Sequence, residues 1–140
     1  MAIDCTALEK KIVSTFNGTP ALVSAFPGGL WGELAPENLA AGTYLIMSVL
    51  AAPSVRTYSG TDDGAISVRF QSIAIGKTTA GTAINQVLAT FDDNALVLAS
   101  GQCYDARRAS RPTSSLYKFV DGLGNDVWSY AVEYIYAVLN

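Results

Sequence analysis

This chain contains no histidine. That removes the Ser-His-Asp and Cys-His nucleophile arrangements and the commonest metal ligand at once. Charge is scarce as well, with 15% of residues charged against 50% hydrophobic. Such a composition is not that of a disordered chain. Its surface is also thinly charged for a small solitary protein, which points to cover by an assembly. The net charge of −3 argues against nonspecific nucleic-acid binding, whose strength comes from phosphate neutralisation by Lys and Arg. Cys5 and Cys103 are the only cysteines, far apart and without metal-ligand spacing. They can pair, but buried thiols in a reducing compartment are the expectation. No run approaches about 18 apolar residues, and the N-terminal MAIDCTALEKK lacks the charged-then-apolar order of a signal peptide. Neither a membrane span nor export is expected, so synthesis is placed in the cytoplasm of the producing cell.

What is present begins with a stretch that organises the rest. Ala65–Ile75 reads as a long strand, with Ile66, Val68 and Phe70 alternating against Ser67, Arg69 and Gln71. The apolar phase changes near Gln71–Ser72, because Ile73 and Ile75 carry it afterwards. Either a bulge re-aims the strand, or its second half is covered on both faces. Gly76-Lys77-Thr78 makes a short connection, and Thr79–Asp92 reads as an amphipathic helix. Its apolar stripe is Ala80, Ala83, Ile84, Val87, Leu88 and Phe91. A long strand passing to a helix that folds back on its sheet is the core of a small α+β domain.

The flanks fill in that domain. Thr6-Ala7-Leu8-Glu9 has capping-box form, and the helix after it sets Leu8, Ile12, Val13 and Phe16 on one side before Asn17-Gly18. Thr19-Pro20 starts a second, short helix with Leu22, Val23 and Phe26 inward, ending at Pro27-Gly28-Gly29. Leu30–Leu34 is a short strand anchored by Trp31, and Ala35–Gly42 a loop. Thr43–Leu50 is almost continuously apolar, as a central strand buried on both faces is. Val55–Tyr58 resumes the extended pattern, and Ser59–Gly64 is a turn cluster. Tyr44–Ile75 thus forms two antiparallel arms whose tip, Ala51–Gly64, projects from the sheet. Ala95–Ala99, continuing through Tyr104, then Leu116–Val120 and Val127–Leu139 are the last strands. In the final one Trp128, Tyr130, Val132, Tyr134, Tyr136 and Val138 share a face, whose aromatic stripe either lines a pocket or an interface or, as expected, packs as core beneath the helices. The fold class is α+β: a small, mainly antiparallel sheet flanked by an N-terminal and a central helix. No repeat, linker or low-complexity tract divides it, so residues 1–140 are read as one domain.

Chemistry is harder to find. Asp62-Asp63 and Asp92-Asp93 are adjacent carboxylates, but neighbours in an extended chain point apart, so solvated turns are expected. Gly76-Lys77-Thr78 has the ending of a phosphate-binding loop, yet the glycine required five positions earlier is Gln71, inside a strand. No catalytic, cofactor-binding or metal-ligating set emerges, and an enzyme is not expected. Arg107, Arg108 and Arg111 form the one basic cluster, within Asp105–Pro112. It is either a solvated loop partly neutralised by Asp105 or a docking patch for an acidic partner. The candidate interface residues are these three, with Arg56, Tyr58, Asp62 and Asp63 on the projecting arm.

In order and pattern the chain resembles the tail-terminator (tail-completion) proteins of long-tailed bacteriophages. The resemblance rests on the N-terminal helix and the short second helix ending at Phe26-Pro27-Gly28, followed by the Leu30–Leu34 strand and the Ala35-Pro36 loop. It continues through TYLIMSVL, a turn-rich excursion, SVRFQSIAI, a helix closing on Leu88–Asp92 and the terminal YAVEYIYAVL. The arginine-rich stretch Tyr104–Thr113 matches no feature of that family. The resemblance implies a structural virion protein, located in the tail or neck, that forms a hexameric ring. Such a ring caps the completed tail tube, joins it to the head-completion (neck) proteins, and lets DNA pass its lumen without specific binding. The competing readings are another phage ring component, such as a tail-tube or head-closure subunit, and a small apolar-ligand-binding domain.

Overall fold

A computed structural model describes residues 5–32, 42–51, 55–56, 62–92, 94, 96, 98, 102–109, 111–120 and 126–139. Two helices come first, α1 (Cys5–Asn17) and α2 (Pro20–Ala25). The strands β1 (Leu30–Trp31), β2 (Tyr44–Ala51), β3 (Val55–Arg56) and β4 (Asp62–Ile75) follow. Helix α3 (Lys77–Phe91) then leads to β5 (Gln102–Arg108), β6 (Thr113–Val120) and β7 (Asp126–Leu139). The α+β class is as the sequence reads. The sheet has the order β1-β2-β4-β7-β5, with β3 added on β4 and β6 on β7. Every pairing is antiparallel except that of β1 with β2.

The two 14-residue strands β4 and β7 form the spine of the sheet. Their register runs unbroken from Asp63↔Leu139 to Ile75↔Val127. The phase change in β4 is therefore no bulge. Ser72 and Ala74 keep the same face as Phe70 and are buried, while Ile73 is buried on the opposite face with Tyr44 and Val127. A polar residue fits beneath the helix because the Ser72 hydroxyl donates to the Ala80 carbonyl at 2.9 Å. Ile75, by contrast, is exposed.

Helix α3 begins two residues earlier than its pattern suggests, with Gly76 as N-cap at φ +89. A positive φ there is natural only to glycine. The expected stripe is buried at Ala80, Ala83, Ile84, Val87 and Phe91, and Leu88 packs half-buried at its margin. On the sheet below lie Ile66, Val68, Phe70, Val132, Tyr134, Tyr136 and Val138. Phe91 stacks on Phe70 with ring centroids 4.9 Å apart, and Tyr134 meets Phe70 edge-on at 5.9 Å. Trp128 and Tyr130 are half-buried, Trp128 carrying the Lys77 ammonium 5.4 Å from its ring centroid.

Several expectations need correction. Thr6 lies inside α1, not at its cap. Leu8, Ile12 and Phe16 are buried, but Val13 faces out, as does Val23 of α2. Helix α2 has Thr19 as its N-cap residue, yet the Thr19 hydroxyl turns back to the Thr15 carbonyl at 2.7 Å and caps nothing. Asp62–Gly64 are strand, not turn, since β4 continues until it has matched the length of β7. Leu96 and Leu98 lie in no regular element. The following strand instead starts at Gln102 and runs into the arginine-rich stretch. Residues 33–41 of the expected strand and loop after Trp31, and Tyr58 with residues 59–61 of the arm tip, lie outside the described residues. Among the described residues no helix is long and apolar enough to cross a membrane.

Candidate assembly surface

One edge of the sheet carries the basic cluster, and its geometry follows from the length of β7. A single 14-residue strand is served along its outer side by two partners in succession. Strand β5 pairs with its C-terminal half, from Gln102↔Leu139 to Arg108↔Tyr134. Strand β6 pairs with its N-terminal half, from Thr113↔Ala131 onward. Both run antiparallel to β7, so together they make one interrupted edge. The Ala109 amide still bonds the Glu133 carbonyl at 2.8 Å, after which the chain leaves the ladder and returns at Thr113. Pro112, which has no N–H to contribute, sits in that interruption.

The expected solvated loop is therefore half strand. Arg107 and Arg108 occupy the last two positions of β5, opposite Ile135 and Tyr134. Arg111 lies in the interruption and is exposed. Arg108 has a partner in its own chain. Its guanidinium lies 3.7 Å from the Asp92 carboxylate, both groups being more than a third exposed. An exposed pair of this kind contributes about 0–1 kcal/mol. Asp92 is the C-cap of α3, where a negative charge opposes the helix dipole. Its other oxygen accepts the Tyr134 hydroxyl at 2.7 Å. The triplet ties the end of α3 to β5 and β7. Asp92, read from sequence as half of a solvated carboxylate pair, is the residue that sequence reasoning missed; nothing local signals a partner 42 positions away.

The two core tyrosines of β7 differ in how their hydroxyls are served. Burial first, and then the hydrogen bond to Asp92, push the Tyr134 phenol well above its ordinary value. Burial also raises Tyr136, with a further contribution from Cys103, a buried thiol. The Tyr136 hydroxyl has no hydrogen-bond partner among the described residues. Losing a bond to a charged acceptor costs about 1.5–3 kcal/mol, whereas deleting an unsatisfied buried hydroxyl relieves a cost. Tyr134→Phe is thus expected to lower the denaturant midpoint clearly and Tyr136→Phe to leave it level or raise it. Equal losses in the two variants would refute this assignment.

The arm residues remain apart from the cluster. Arg56 pairs with Asp62 and Val55 with Asp63 through the short ladder of β3 on β4. Elsewhere the surface carries exposed large apolar groups at Val13, Val23, Trp31 and Ile75. Trp31 is no core anchor. Its indole N–H is held by the Gly28 carbonyl at 2.7 Å, which fixes the ring at the surface beside the β1 edge. Preordered, exposed aromatic and aliphatic groups are what interfaces use. The clefts beside α3 are open to solvent and lined largely by threonine, alanine and other short side chains. They lack the enclosed shape of a small-molecule site.

No protein-family model matches this chain, and no curated protein does so in sequence. Among solved structures, a chain from the virion of a native gene transfer agent particle superposes with a TM-score of 0.80. The superposition covers 100% of each chain at 17% sequence identity. At that identity the likeness shows the fold. A second solved chain, 20% identical over 94% of this chain and 91% of its own, reaches a TM-score of 0.47 and carries no argument.

Proposed function

We propose that this chain is a structural virion protein of a phage-like particle, a tail-terminator subunit that forms a ring on the completed tail tube. The observation that carries the reading is end-to-end agreement of fold with a chain whose place is in a virion. The order of elements supports it, since the pattern that resembles tail terminators is the pattern that folds here into one seven-stranded sheet. The outward Val13, Val23 and Trp31 suit a subunit whose product is an interface. In a ring each copy offers two different patches to its neighbours, and rotation closes the contact. The ring joins the tube to the head-completion proteins, and DNA crosses its lumen without specific binding. An arm at Arg56, Tyr58, Asp62 and Asp63 and the stretch bearing Arg107 and Arg111 contact those protein partners.

Native mass spectrometry and negative-stain microscopy of purified protein test the reading directly. Six-fold rings that bind the open end of tail tubes are expected, and a monomer that ignores tubes would sink it. Because Arg108 is engaged by Asp92, the charge reversals that weaken assembly are expected at Arg107 and Arg111. A desolvated arginine–carboxylate pair across an interface costs about 2–5 kcal/mol when broken. Arg107→Glu with Arg111→Glu should therefore reduce assembly steeply at low salt with an unchanged unfolding midpoint. Normal assembly of that double variant would remove these arginines from the contact.

A further inference from the structure

The edges of the sheet are not protected alike. Strands β1 and β3 are two residues each, too short to template another strand. Because β1 covers only Leu45 and Ile46 of β2, Met47–Ala51 is a second open edge among the described residues. Strand β5 carries a register shift between Cys103 and Asp105 and ends in two arginines. Short length, bulges and charge are the devices by which proteins keep an edge from pairing with another chain. Strand β6 shifts register between Tyr117 and Val120, but its first five residues carry none of these devices. Its sequence is TSSLYKFV, eight residues with no proline, no glycine and one charge. From Thr113 to Tyr117 its register with β7 is unbroken, so this segment is a regular extended ladder. Among the described residues only β7 pairs with it. Its outer row of N–H and C=O groups matches the backbone of an extended chain.

We propose that the Thr113–Tyr117 edge receives an extended strand from a second copy of this chain. That the occupant is a second copy rests on the ring reading above. Continuing the sheet from one subunit into the next satisfies the edge and gives the ring a backbone-defined register, while Pro112 and the arginines confine pairing to β6.

Successive N–H groups along a strand point to opposite edges. Of Ser114 and Ser115, one therefore donates toward β7 and the other outward. Ser114→Pro and Ser115→Pro separate the two roles. The variant that removes the inward N–H is expected to lose stability. The other should keep the wild-type unfolding midpoint yet associate at least about tenfold more weakly, by native mass spectrometry and sedimentation, since an edge tolerates proline where no bond is needed within the subunit. Amide hydrogen exchange on the wild-type assembly gives a second reading, with the outward amides of Thr113–Tyr117 protected in the assembly and open on dilution. Rings that persist in the well-folded proline variant, or outward amides that exchange freely in the ring, overturn the edge proposal and leave the ring intact. A wild-type dimer that the proline abolishes upholds the edge and overturns the six-fold ring. A wild-type protein that stays monomeric overturns both.

Discussion

Phe91→Ala is expected to lower the unfolding free energy by about 3–5 kcal/mol, the range for truncating a buried aromatic side chain. The ring is fully buried at the last turn of α3. It stacks on Phe70 with an interplanar angle of 22° and reaches Tyr134 at 6.5 Å between centroids. Neither neighbour can follow it into the cavity. Phe70 is held on β4 between two long antiparallel partners, and Tyr134 is fastened at its hydroxyl by Asp92. The cavity therefore stays open, which puts the cost toward the upper part of the range. Asp92 follows directly in sequence, so loosening the helix end also slackens the Tyr134–Asp92–Arg108 contact. Equilibrium denaturation read by near-UV and far-UV circular dichroism checks the value. A midpoint equal to wild type would show that Phe91 does not close the core.

The β4–α3 core was legible because period and burial coincide there. Ile66, Val68 and Phe70 alternate, Ala80 through Phe91 recur at helical spacing, and both sets are buried. Where the periods gave out, the reading failed for physical reasons. Val13 and Val23 sit at helical spacing beside buried residues, yet neither helix is wide enough in contact to bury so broad a stripe. Whether the margin of such a stripe is core or surface depends on the neighbouring layer, which no local pattern encodes. The arginine-rich stretch was misread in the opposite sense. Charge suggested a loop, whereas an edge strand tolerates and even uses charge, and β7 has a long outer side to be paired. Of the candidate interface residues, Arg107, Arg108 and Arg111 fall on one edge of the sheet and Arg56, Asp62 and Asp63 on the short β3–β4 ladder. The Asp92 contact with Arg108 and Tyr134 joins three elements distant in sequence and had no signature to find.

Gly28→Ala is the second substitution expected to have a large effect, although it adds one methyl group to a turn. Gly28 lies where the chain leaves α2 and doubles back onto the start of β2. Its amide donates to the Thr43 carbonyl at 2.8 Å, and the Leu45 amide donates to the Gly29 carbonyl at 3.0 Å. A Cβ at Gly28 would stand 2.8 Å from the Gly42 carbonyl oxygen and 3.0 Å from both the Thr43 carbonyl oxygen and Tyr44 Cβ. Two of these are backbone atoms of the neighbouring segment and none is the end of a flexible side chain, so the turn itself must move away from β2. Overpacking of this kind costs about 1–3 kcal/mol, and each of the two hydrogen bonds stretched by the movement is worth about 0.5–1.5 kcal/mol. The same displacement carries Trp31, whose indole is anchored on the Gly28 carbonyl, and Phe26, whose carbonyl accepts the Gly29 amide at 2.9 Å. The expected result is a loss of about 2–5 kcal/mol together with a shift in tryptophan fluorescence. Gly32→Ala is the control, since among the described residues a Cβ there meets nothing within 4 Å and its backbone is not at positive φ. If both alanine variants unfold at the wild-type midpoint, the turn is not packed against β2 as described, and the surface position of Trp31 loses its support.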